Sequence, residues 1–315
     1  MLKTPICDLV GIQYPVFQGG MAWIADGKLA AAVSNGGGLG IIAASNAPGD
    51  YVREQIHLAK SLTDKPFGVN IMLLSPFIDE VAQIVAEEKV AVVTTGAGNP
   101  AKFIKGWLEA GIKVIPVVAS CSMAKLMERL GASAVIAEGG ESGGHIGEVS
   151  TMPLVPQVVD TVSIPVLAAG GIGDGRGVAA AFMLGAVGVQ VGTRFLVAEE
   201  CNIHPVYKEK ILKATDISTM TTGKRLGHPV RSLKTPFARN YLKQEYDSSV
   251  SNEALEALGA GSLRLAVQEG DLQKGSFLAG QICGMIHKEQ PAAEIVHELC
   301  EEAEAVLKGA TKWVK

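Results

Sequence analysis

His145 stands in the glycine-rich stretch Gly139-Gly140-Glu141-Ser142-Gly143-Gly144-His145-Ile146-Gly147. An imidazole titrates near neutrality, so a histidine held in such a loop is suited to passing a proton. The other five histidines offer less. His57, His204, His287 and His297 fall on helical or helix-edge segments, and His228 lies in a Gly-His-Pro turn. Further along, Gly170-Gly171-Ile172-Gly173 and Gly192-Thr193 each follow an apolar run. Each is read as leading into a helix whose free N–H groups favour an anion. A single glycine-rich turn has an ordinary packing explanation, whereas two in succession point to a phosphate-bearing ligand. The spacing from Gly171 to Gly177 departs from the dinucleotide fingerprint, and Gly223-Lys224-Arg225 lacks the flanking residues of a P-loop. Neither H-E-x-x-H nor paired cysteines appear, so no metal site is expected.

Those residues need a scaffold, and the chain supplies a regular one. Short apolar runs begin at Pro15, Leu39, Phe67, Val90, Lys113, Ala134, Pro165 and Gly188. Their spacing is that of successive strand-helix units, and each run reads as a strand buried on both faces. The stretch Phe77 to Val85, with apolar residues every three or four positions, is a typical filler helix. Eight such units without hairpin signals predict an α/β fold of the (β/α)8 TIM-barrel class, with right-handed crossovers. Catalytic groups in such barrels sit just past the strands. Here those positions hold Gln18 to Ala22, Asn70, Thr94-Thr95-Gly96-Ala97-Gly98, Ser120 and Glu138-Gly139-Gly140. The barrel is assigned to residues 1–215. Residues 216–288 break the rhythm and read as a small appended C-terminal domain. Residues 289–315 form a helix that returns to the barrel, with Ile295, Val296, Leu299, Cys300, Ala303, Val306 and Leu307 as its apolar stripe.

Composition narrows the function classes. With 28 basic against 32 acidic residues, the chain lacks the excess positive charge of a general nucleic-acid binder. Five widely spaced cysteines and a start without signal-peptide features suggest a reducing, cytoplasmic setting. The longest uncharged stretch, Leu29 to Gly49, is interrupted by Ser34, Asn35 and glycines, so no membrane span is expected. One local reversal stands out: Lys224, Arg225, Arg231, Lys234, Arg239 and Lys243 occur without an intervening Asp or Glu. Such a basic stretch could steer an acidic partner, hold a cofactor phosphate or simply face water.

Four motifs then carry a resemblance. Phe17-Gln18-Gly19-Gly20-Met21-Ala22-Trp23-Ile24-Ala25-Asp26-Gly27, Pro66 to Leu73, Gly143-Gly144-His145-Ile146-Gly147 and Gln190-Val191-Gly192-Thr193-Arg194-Phe195 resemble the flavin-dependent enoyl-acyl-carrier-protein reductase II family. That family is sister to the nitronate monooxygenases, once called 2-nitropropane dioxygenases, and the barrel motifs are shared. Gly20 to Trp23, Asn70 to Pro76 and Leu278 to Ile282 favour the reductase side. The resemblance implies an FMN-binding set of Gly20, Met21, Ala22, Asn70, Thr95, Glu138, Gly143, Gly144, Gly170, Gly171, Ile172, Gly192 and Thr193. The phosphate would rest on Gly171, Ile172, Gly192 and Thr193, with the ring facing Met21, Ala22, Asn70 and the catalytic His145. It also implies NADH or NADPH as hydride donor, an enoyl substrate on an acyl carrier protein, a homodimer and a monovalent-cation requirement. A nitronate monooxygenase is the alternative, and a non-redox barrel that binds phosphate ligands a third.

Overall fold

A computed structural model describes residues 2–313, so residues 1, 314 and 315, at the ends of the first and last predicted segments, lie outside it. Six strands come first: β1 (Val16–Gln18), β2 (Ile41–Ala43), β3 (Gly68–Met72), β4 (Val92–Gly96), β5 (Lys113–Val118) and β6 (Val135–Glu138). After the two-residue β7 (Gly144–His145) come β8 (Val166–Ala169) and β9 (Gly188–Val191). Without β7, these strands form one parallel sheet in the order β1-β9-β8-β6-β5-β4-β3-β2. A parallel bridge from Phe17 to Leu39 brings its two edges together. The chain is therefore a TIM barrel, as its strand rhythm predicts.

Strand alternation sorts the core into two shells. Phe17, Ile41, Val92, Ile115, Ile136 and Leu167 point inward and pack with Ile6, Cys7 and Val10 of the helix Pro5–Val10. Ile6 lies beside Gly188 at the start of β9, so this helix plugs the N-terminal end of the barrel. The alternate residues Val69, Val93, Val114, Val135, Val166 and Val189 point outward and bury against the surrounding helices. Little room for a ligand remains at the bottom of the barrel. The working end is the opposite one.

The seam between β1 and β2 closes in an unusual way. Gln18 is fully buried, and its side-chain amide takes the place of a strand neighbour. Its Oε1 accepts from the Ile41 amide at 3.2 Å while its Nε2 donates to the Ile41 carbonyl at 3.3 Å. Beside this, the Gln18 amide donates to Leu39 O at 2.9 Å. Buried backbone groups left without partners are costly, so this one side chain completes the ring.

The last long helix, Ala292–Gly309, packs against Gly175–Met183 and Gly27–Asn35 and fills the gap between the last and first units. Before it, β10 (Thr219–Thr222) and β11 (Val230–Leu233) form an antiparallel pair, followed by helices Pro236–Glu245, Asn252–Gly259 and Ser262–Glu269. Phe237, Tyr241 and Leu255 make a small core there. Leu233, Ala266, Val267 and Phe277 instead join the main core, and Tyr207 Oη donates to Leu278 O at 2.7 Å. No helix among the described residues is long and apolar enough to cross a membrane.

Candidate functional site

A cavity of about 610 Å³ opens over the C-terminal ends of the barrel strands, within the usual range for small-ligand sites. Gly20, Met21 and Ala22 follow β1, and Asn70 lies on β3. Glu138 ends β6, with Gly143, Gly144 and His145 in the loop beyond it. Gly170, Gly171 and Ile172 follow β8, and Gly192 and Thr193 follow β9. Thr95 is a correction. With Val92 in the inner shell and Val93 in the outer, the two-residue period turns Thr94 and Gly96 inward and Thr95 toward the helices. Thr94 instead supports the site, accepting a hydrogen bond from Asn70 Nδ2 at 3.0 Å. Gly20 lets the first loop pass close over Asn70, because a Cβ there would come within 2.3 Å of Asn70 Cβ.

The anion-binding end is built differently from the sequence expectation. Helix Gly175–Met183 has no free N-terminus: Asp174 accepts from the Arg176 and Gly177 amides, and Glu302 accepts from Gly175 N at 3.0 Å. The turn before it is the open part. Gly170 and Gly171 take φ of +86° and +73°, conformations that favour glycine. The amides of Gly171, Ile172 and Gly192 have no acceptor among the described residues. After β9 comes only a short 3-10 helix, Thr193–Val197, and the Thr193 hydroxyl accepts from Gly280 N at 2.9 Å. Glu141 would oppose an anion here, but its carboxylate is tied back to Thr151 N at 2.9 Å and Thr151 Oγ1 at 2.8 Å.

Glu138, Glu141, His145 and His228 are the titratable side chains that line the cavity. Glu138 is half-buried at the end of β6, where it lines the cavity, and loss of hydration pushes its carboxyl up to about 7. Nearby, Ser142 Oγ is buried without a hydrogen-bond partner. His145 lies nearer the rim. Although His145 is exposed at the rim, partial desolvation of its ring, with a further contribution from His228, holds its pKa below the ordinary value.

His145 is fixed by a strand from the far side of the sequence. Its two-residue strand β7 pairs antiparallel with β11, His145 opposite Val230 and Gly144 opposite Arg231. The adjoining turn brings Gly227, His228 and Pro229 into the cavity wall. In the sequence His228 reads as an ordinary turn residue, and nothing in the local pattern announces a pairing across 85 positions. The basic stretch also divides. Arg231 donates to Gly140 O at 2.9 Å, and Arg225 donates to the carbonyls of Asp247 and Val250. Lys224, Lys234, Arg239 and Lys243 remain exposed.

A second cleft, of about 480 Å³, lies around Lys28, Lys208 and Glu289, outside the strand ends. Within it Lys208 pairs with Glu289 at 3.1 Å and Lys213 with Glu209. All five cysteines are free thiols.

The sequence pattern of the nitronate monooxygenase family matches residues 3–88 and 75–302. The chain belongs to that family. It is accordingly an oxidoreductase of the flavin-dependent nitronate monooxygenase type, whose members are FMN-dependent. Among solved structures it is similar to FabK from Thermotoga maritima, with 51% identity and a TM-score of 0.97 over all of both chains. A dehydrogenase from Mycobacterium tuberculosis, named for (3aS,4S,5R,7aS)-5-hydroxy-7a-methyl-1-oxo-octahydro-1H-indene-4-carboxyl-CoA, is 39% identical over 84% of this chain and 74% of that enzyme. A probable nitronate monooxygenase from Staphylococcus saprophyticus is 30% identical over 97% of this chain and 99% of its own length.

The cavity fits FMN. Unpaired amides at Gly171, Ile172 and Gly192 would be donors for its phosphate, and the orphaned Ser142 hydroxyl would be available to a polar ligand edge.

Proposed function

We propose that this chain is an FMN-dependent enoyl-thioester reductase that uses NADH or NADPH and takes its substrate from an acyl carrier protein. The observation that carries this reading is the 51% identity to FabK along the whole of both chains, together with a cavity lined by His145, Glu138 and the glycine turns after β8 and β9. A relative that acts on a CoA thioester supports the same substrate linkage. When bound, FMN supplies the relay of a hydride from a nicotinamide to an alkene.

The chain's own residues do the rest. Gly171, Ile172 and Gly192 hold the phosphate through backbone amides, and Asn70, steadied by Thr94, presents its free carbonyl oxygen to the cavity. His145, fixed by β11, offers an N–H toward the thioester end of the substrate, where negative charge develops and a proton must arrive at the α-carbon. The loop after β6 and the turn at His228 form one wall of the site. Exposed Arg239 and Lys243 are one helical turn apart, and Glu245 ties the end of their helix to Gly223 N and Arg225 N, at the base of the turn that lines the cavity. They form the surface offered to an acidic carrier protein.

The family match itself favours nitronate oxidation as the second reading. Anaerobic mixing separates the two. Rapid bleaching of the flavin by NADH or NADPH and its recovery on adding an enoyl thioester is the expected result. Nitronate turnover without any response to a nicotinamide would overturn the reductase reading.

A further inference from the structure

The cavity is chemically two-sided, and the barrel order sets its two sides opposite one another. In the closed ring β3 stands across from β8, and β4 across from β9. The β8–β9 side carries the free amides described above. The β3–β5 side is apolar: Met72, Leu74, Ala97, Val117 and Met123 line it, and Asn70 is the one polar side chain among its lining residues. This wall is continuous. Leu73 N donates to Gly96 O at 3.0 Å, and Gly98 packs its backbone against Leu73, so the segment after β3 is bound to the end of β4. Ala97 takes a left-handed φ of +56°, which turns a small side chain toward the cavity at the place where the wall meets the rim.

At that rim Leu74 is 71% exposed, although it lines the same cavity as half-buried Met72 and Met123. A large side chain left in water at the open end of an apolar wall gains by covering an alkyl ligand that runs outward along it. A ligand confined to the amide side would leave this arc bare.

We infer that the β3–β5 wall is the subsite for the acyl arm of the substrate, a linear alkyl chain leaving the thioester away from the phosphate turns and exiting under Leu74. This rests on the thioester reading above and adds the direction and chain-length selectivity to it. Each methylene that the wall covers tightens binding by up to about fourfold, so affinity climbs with chain length until the chain passes Leu74.

The test uses the flavin-loaded protein and saturated butyryl-, hexanoyl- and octanoyl-CoA, with binding followed through the flavin absorbance and by calorimetry. Octanoyl-CoA should bind at least tenfold tighter than butyryl-CoA. In Leu74→Asp that ratio should fall below about threefold, and in Ala97→Phe the longest ligand should lose most, with flavin content confirming that each variant is folded. Leu74 is exposed, so its replacement places no burden on the core. A ratio near one in the parent protein, an unchanged ratio in both variants, or no binding of any of the three overturns the inference. Turnover of crotonyl-CoA with NADH or NADPH is measured alongside: its absence refutes the reductase reading, while the binding ratios still judge the wall.

Discussion

Replacing Glu138 with Gln tests the electrostatics of the barrel mouth directly. Glu138 follows Ile136 on the inward face of β6, above the closed inner core, and its carboxyl titrates at about 7 instead of the ordinary 4.5. The unfolded chain, with the lower pKa, ionises first as pH rises. Native stability is therefore fully retained below about pH 4.5 and declines until the native carboxyl has itself ionised, above about pH 7. From pH 5.5 to 8.5 the two titration curves give a loss of about 2 kcal/mol for this one group. Glutamine keeps the shape of the protonated acid and cannot ionise, so the variant escapes that loss. Urea unfolding of the flavin-free protein at both pH values, parent beside Glu138→Gln, measures it, because every other titrating group cancels in the comparison. The variant should gain about 2 kcal/mol on the parent at the higher pH. A stability difference that stays constant with pH would show that Glu138 is already ionised at pH 5.5 and that the mouth is far wetter than its burial implies.

His145→Ala should leave FMN content unchanged and slow flavin reoxidation by enoyl thioester at least tenfold, about 1.4 kcal/mol of barrier, in anaerobic stopped flow. Gly171→Asp puts a side chain on a residue with φ of +73° and within 3.5 Å of Glu141 Cβ, so the purified protein should be nearly colourless, and full flavin occupancy would misplace the phosphate. Reversing Arg239 and Lys243 to Glu should raise KM for carrier-bound enoyl substrate severalfold at low salt while sparing the matching CoA thioester. That effect should fade as salt rises, and equal effects on both substrates would rule out carrier docking at this helix.

The barrel was legible because its strands are buried on both faces, so runs such as Val114-Ile115-Pro116-Val117-Val118 stand out as unbroken apolar segments. The floor of the site followed, since in this architecture function gathers just past those runs. What resisted reading was orientation. Thr94 and Thr95 are equivalent as letters, and only the inward direction of Val92 decides between them. Gln18 looked like a strand-end polar group, whereas its role is to bond the backbone of a strand it does not pair with. Helix Gly175–Met183 reads in sequence as an anion site, whereas Glu302, 127 positions away, caps it. His228 and Arg231 reach the cavity loop through long-range pairing, which no local pattern encodes.

That pairing also sets an order in time. A ribosome adding about 5–20 residues per second needs roughly 4–17 s to move from His145 to its strand partner at Val230. During that interval the glycine-rich loop has no edge to dock on, while most strands of the barrel are already made. The helix Ala292–Gly309, which completes the outer layer beside Gly27–Asn35, arrives later still. The wall that holds His145 is therefore among the last parts of the cavity that the growing chain can complete.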